Sequence, residues 1–163
     1  MKINRLAIAI FVTLAALSAA AQSTPQKAFD QMKSLDGVWQ GKDSEGKLVE
    51  VSFKETARGS ALMSEIMGED DMISMIHLDG PNRLLLTHYC ARGNQPRMQA
   101  SASPDGKTIT FNFVEATNLE SPDDGHMQSV IFTFVDANHH LEEWHFADHG
   151  KEHVVRFDLE RKS

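Results

Sequence analysis

The stretch that decides the fold is Arg97-Met98-Gln99-Ala100-Ser101-Ala102, Ser103-Pro104-Asp105-Gly106, then Lys107-Thr108-Ile109-Thr110-Phe111-Asn112-Phe113-Val114-Glu115-Ala116. Pro presets φ for a turn and Gly accepts φ > 0, so the two flanking runs read as the arms of a hairpin. Asp79-Gly80-Pro81-Asn82 and Asp148-His149-Gly150-Lys151 carry the same chemistry, and Asn118 to Gly125 is the longest polar connection. Working outward from these turns gives ten strands: Val38 to Lys42, Leu48 to Thr56, Ala61 to Met67, Met72 to Leu78, Arg83 to Ala91, Arg97 to Ser103, Lys107 to Ala116, His126 to Asp136, His140 to Ala147 and Glu152 to Arg161. Short strands with regular turn signals predict an all-β antiparallel up-and-down meander. Closure would remove its two exposed edges. Leu84-Leu85-Leu86 and Val130-Ile131-Phe132 are apolar on both faces, which suits a closed barrel better than a sheet solvated on one side. One short helix is expected before the strands: Ser23-Thr24-Pro25 supplies a hydroxyl cap and a first-turn Pro, Phe29, Met32 and Leu35 follow three apart, and Gly37 stops it.

The chain has 163 residues, which is one domain's worth. Sixteen Lys and Arg stand against 23 Asp and Glu, for a net charge of -7. An acidic chain with a pI near 5.5 lacks the basic footprint of a nucleic-acid binder. Met1-Lys2-Ile3-Asn4-Arg5, an apolar run from Leu6 to Leu17 and Ser18-Ala19-Ala20-Ala21 read as a signal peptide cleaved after Ala21. The run is too short to span a bilayer, and no other long apolar run exists to serve as a membrane span. The expectation is therefore a periplasmic or secreted protein, with residues 22–163 forming a single domain. Cys90 is the only cysteine, so an internal disulfide is excluded. An exported thiol is kept buried or put to use, and free Cys ordinarily behaves as a small buried hydrophobe.

Leu35-Asp36-Gly37-Val38-Trp39-Gln40-Gly41 resembles the Gly-x-Trp signature that opens the first strand of lipocalins and related calycin barrels. The resemblance implies that Trp39 plugs one end of the barrel and stacks on an Arg from the last strand, Arg161 or Arg156. Leu86-Thr87-His88-Tyr89-Cys90 with Gly93-Asn94-Gln95-Pro96-Arg97 is similar to a feature of uncharacterised secreted bacterial lipocalin-like proteins. Such a fold hosts many functions and transfers none by itself.

Eight histidines stand out. His145, His149 and His153, spaced by four, would stack as metal ligands on a helix, but the local sequence is a hairpin. With His149-Gly150 as a two-residue loop, Phe146 pairs with His153, Trp144 with Val155 and Glu143 with Arg156. Trp144, Phe146, His153, Val155, Phe157 and Leu159 then share one face. A three-residue loop would bring His145 opposite His153 but would put Trp144 and Phe146 on the side of Arg156 and Asp158, because a one-residue slip flips every side chain. Hydrophobic sorting favours the first register, with His153 pointing inward among aromatic residues. That invites comparison with nitrobindin-like haem barrels, which the chain resembles in Gly37-x-Trp39-x-Gly41 and in the ending Leu159-Glu160-Arg161. The resemblance implies haem held by His153, although His153 is one residue farther from the Arg than that pattern expects.

His88 and Cys90 share a strand face, with Tyr89 on the other. Imidazole beside thiol is the minimal base and nucleophile pair of an enzyme, but no nucleophile elbow flanks Cys90. Gly93-Asn94-Gln95-Pro96 reads as a tight turn at the rim. The acid pairs, Glu142-Glu143 among them, read as solvated surface. Met63, Met67, Met72, Met75, Met98 and Met127 read as mostly core, and flexible thioethers also suit a cavity for varied apolar ligands. The expected function is a non-enzymatic binding protein for a small apolar or amphipathic ligand, with His88, Cys90, Asn94, Gln95, Arg97 and His153 as the ligand-binding residues and no metal.

Overall fold

A computed structural model describes residues 24–68 and 70–162. The signal peptide and its cleavage site near Ala21 lie outside the described residues. One helix, α1 (Thr24–Lys33), precedes ten strands: β1 (Gly37–Asp43), β2 (Leu48–Thr56), β3 (Ala61–Met67), β4 (Met72–Asp79), β5 (Arg83–Tyr89), β6 (Gln95–Ala102), β7 (Thr108–Thr117), β8 (His126–Asp136), β9 (His139–Asp148) and β10 (Lys151–Arg161). Every strand pairs antiparallel with its chain neighbours, and β1 pairs with β10, so the sheet is a closed barrel with no edge.

The elements follow the sequence pattern closely. The principal shift is at β6, which begins at Gln95 and takes in Pro96, so the turn runs from Cys90 to Asn94 and not from Gly93 to Pro96. Ser103 to Gly106 forms the expected turn, with the Gly106 amide donating to the Ser103 carbonyl at 2.9 Å. The β9–β10 hairpin takes the two-residue loop: His153 stands opposite Phe146, Val155 opposite Trp144 and Arg156 opposite Glu143. His149 and Gly150 both have positive φ, 48° and 74°, which is the backbone a tight hairpin loop requires.

The core is the barrel interior. Trp39, Val51, Leu62, Ile76, Leu86, Met98, Phe111, Phe132, Trp144 and Leu159 alternate with outward neighbours and are buried on inner faces. Leu84, Leu85 and Leu86 are all buried, as expected of a strand apolar on both faces. The methionines depart from expectation. Met98 is buried, whereas Met63, Met67, Met72, Met75 and Met127 are half-buried, because outward or end positions leave flexible side chains partly in water.

One end is sealed. α1 buries Ala28, Phe29 and Met32 and packs against β2, β4, β5 and β6. Trp39 Nε1 donates to the Leu35 carbonyl at 2.7 Å, and the Arg161 guanidinium lies 4.2 Å from the Trp39 ring. Arg161 also donates to the carbonyls of Asp36 and Ser34 at 2.7 and 2.8 Å. Of the two candidate partners for Trp39, Arg161 is the one used; Arg156 instead bonds Glu143 on the outer face. Gly41 is required by close approach: a Cβ there would sit 1.7 Å from the Asp158 carbonyl oxygen.

Candidate functional site

The other end is where the chemistry gathers. His88 is inward on β5 and fully buried at 0% exposure. Its Nδ1 lies 3.0 Å from Ser74 Oγ on β4, its ring is 5.1 Å from Trp144 on β9, and its Nε2 has no hydrogen-bond partner. Burial alone pushes the His88 imidazole down to about 4, so it is uncharged at neutral pH. A buried nitrogen without a partner is costly, so this atom is a point at which the barrel has unused hydrogen-bonding capacity.

Cys90 follows one pleat beyond His88 and is half-buried, not enclosed as expected. The reason is position, since β5 ends at Tyr89 and Cys90 opens the turn. The Cys90 amide donates to the Asn94 carbonyl at 3.1 Å, which sets Asn94 opposite Cys90. Asn94 is 3% exposed; its Nδ2 donates to the Gly125 carbonyl at 2.8 Å, and its Oδ1 has no partner. His88 and Cys90 thus follow one another toward the open end of β5, with Asn94 across from Cys90 at the start of β6.

Gln95 and Arg97 do not join them. Strand alternation turns both to the outer wall: Arg97 is exposed and donates to Glu115 at 2.7 Å, while Gln95 bonds the Gly93 carbonyl and Thr117. With Thr87 and Tyr89 they line a small outer hollow of about 270 Å³. Six residues expected to act together are split by the period of two that defines a strand.

His153 has the predicted register but a different setting. It shares a strand face with Val155, Phe157 and Leu159, yet it is exposed, because only Phe157 and Leu159 lie within the packed part of the barrel and Val155 is already 40% exposed. No aromatic cage encloses it, and among the described residues its ring makes no hydrogen bond.

The sequence reading missed Glu142. Treated as solvated, it is 1% exposed. Its carboxyl accepts a hydrogen bond from Trp144 Nε1 at 2.8 Å and bonds His140 Nε2 at 3.0 Å, and the His140 ring lies 4.3 Å from Trp39. The signal was present in the alternation His140, Glu142, Trp144, which places all three on the face that Trp144 makes inward. His145, by contrast, faces out between Glu143 and Glu152, at 2.7 Å from each. Its pKa is raised, chiefly by Glu152 and then by Glu143.

Part of the open end is covered. Arg92, on the turn after β5, reaches Asp148 at the end of β9 at 2.5 Å and lies over the Phe146 ring at 5.3 Å. The His149 amide donates to the Asp123 carbonyl at 3.0 Å, so the three loops following β5, β7 and β9 are tied together. Larger surface hollows lie elsewhere. One of about 450 Å³ runs over Ile131, Leu141 and Arg156, and one of about 660 Å³ flanks Trp39 and Arg161 at the sealed end. Neither includes His88, Cys90 or Asn94.

The fold and site define a closed ten-stranded antiparallel barrel, plugged at one end by an aromatic–arginine stack, with unpaired buried polar atoms at His88 and Asn94 toward the other end and at His140 beside the plug. Among solved structures it is similar to Rv2717c from M. tuberculosis, with a TM-score of 0.57 and 14% identity over 83% of this chain and 98% of that one. At that identity the likeness shows the fold alone. No family model matches the chain, and no curated protein matches it.

Proposed function

We propose that the protein is exported and binds a small apolar or amphipathic ligand at the open end of the barrel. The observation that carries this reading is the buried, unpaired Nε2 of His88 against the Trp144 ring. A neutral imidazole with a free nitrogen, set among apolar side chains, is the kind of polar point that orients a ligand in an otherwise apolar site. Val155, Met72 and Phe146, incompletely covered at the same end, supply apolar surface for the rest of the ligand.

An enzyme built on His88 and Cys90 is less well supported. The bond made by His88 goes to Ser74, not to the thiol, and its depressed pKa makes it a weak base at neutral pH. Haem is the second reading, favoured by the free ring of His153 at this end. Haem would supply an iron centre, with His153 as its nitrogen donor.

Native mass spectrometry of the protein from the exported fraction of its host tests the reading, with alkylation of Cys90 as a reporter. A co-purifying apolar mass that slows Cys90 labelling, and is lost in His88→Leu, is the expected result. A Soret band gained on adding haem and abolished by His153→Ala would move the second reading ahead. Rapid Cys90 labelling that slows in His88→Ala and no bound mass would favour the enzyme instead.

A further inference from the structure

We propose that the ligand enters with a neutral, hydrogen-donating head group, a hydroxyl, and that Asn94 Oδ1 is the acceptor that selects it over a carboxylate. This rests on the ligand-binding reading above and specifies the head group it takes.

The Asn94 amide has a forced orientation. Its Nδ2 donates to the Gly125 carbonyl, and flipping the amide would set oxygen against oxygen. The unpaired atom is therefore an acceptor. It is almost wholly buried, so it has a large unmet demand for a donor and for nothing else. A carboxylate or an ether has no proton to give it.

The surroundings agree. Arg92, the cation on the same turn, is already paired with Asp148 and laid over Phe146, and Arg97 is on the outer wall with Glu115. His88, one pleat below Cys90, is uncharged at neutral pH. An anionic head would have to shed its water beside an arginine already paired with Asp148, which is costly. A hydroxyl both donates and accepts, so it also suits His88 Nε2 in either tautomer.

The test measures displacement of N-phenylnaphthylamine from the mature protein by decanol, by decyl methyl ether and by decanoate at neutral pH. Decanol is expected to bind about tenfold more tightly than the ether and the carboxylate. Asn94→Leu, checked for folding by circular dichroism, should remove most of that preference. The ether and decanoate comparisons use the unaltered protein, so they decide even if the variant does not fold. Equal binding of the three would overturn the proposal while leaving an apolar-ligand barrel intact. Failure of all of them, and of the fluorophore, would instead overturn the binding reading on which it depends.

Discussion

The two ends of the barrel differ in what holds their polar groups. At the sealed end the groups of the plug are paired: the Trp39 indole bonds Leu35, and Arg161 takes the carbonyls of Asp36 and Ser34 while stacking on Trp39, although the neighbouring His140 leaves its Nδ1 without a partner. At the open end the strands bring polar side chains inward and leave them unpaired, as at His88 Nε2 and Asn94 Oδ1. Satisfied buried groups rigidify a fold, whereas unsatisfied ones weaken it. The contrast places the structural plug and the candidate site on opposite ends of one core.

The strongest way to break this comparison is Trp39→Ala. It should destabilise the fold by about 3 to 5 kcal/mol in thermal melts, the range for removing a buried aromatic. A loss below about 1 kcal/mol would mean that the plug is not structural. Glu142→Leu comes next. It strands both the Trp144 indole N–H and the His140 ring nitrogen, and chemical denaturation should report a loss of about 3 kcal/mol. Trp144 should keep its position less well, seen as broadened near-UV circular dichroism.

The third prediction sharpens the open end. The folded-state pKa of His88 is depressed, so between about 4 and 6.5 the unfolded chain binds a proton that the folded one does not. Stability should therefore rise with pH across that window, by on the order of 2 to 3 kcal/mol, and fall as pH drops through it. Above it the raised pKa values of His145 and His149 act in the opposite sense, with stability lost as they deprotonate. Urea melts across the window should show a flattened profile in His88→Leu, whose stability at neutral pH should change by less than about 1 kcal/mol, because the variant removes an unpaired nitrogen along with the Ser74 bond. A steep profile in that variant would assign the dependence to another group.

The smallest effect belongs to Arg92→Ala. Its ion pair with Asp148 is solvent-exposed, so global stability should fall by less than about 1 kcal/mol. Hydrogen exchange should nonetheless quicken at the His149 amide, which is tied to Asp123 in the same group of loops. Unchanged exchange would show that the loops are held without Arg92.

Sequence order, turn residues and alternation were enough to read ten strands, their antiparallel order, the short helix and even the β9–β10 register, because a one-residue slip would have turned Trp144 and Phe146 toward Arg156 and Asp158. The resemblance of Gly37-Val38-Trp39-Gln40-Gly41 to the lipocalin signature implied the sealed end and left Arg161 or Arg156 as the partner of Trp39, and the structure uses Arg161. Much of the site was not legible. Gln95 and Arg97 looked like companions of His88 because they are near in sequence, but which wall a side chain faces depends on where the turn lies, and the turn runs from Cys90 to Asn94. Glu142 looked like one of an exposed acid pair until closure of the barrel put it between His140 and Trp144. His153 held its register yet lies beyond the packed core, because a register fixes the face of a strand and not how deep along the barrel other strands cover it. Local rules of period two act on neighbours in the chain and could be read from it. Depth, closure and the unpaired atoms of His88 and Asn94 arise from strands far apart in sequence meeting across the barrel, and only the tertiary structure decides them.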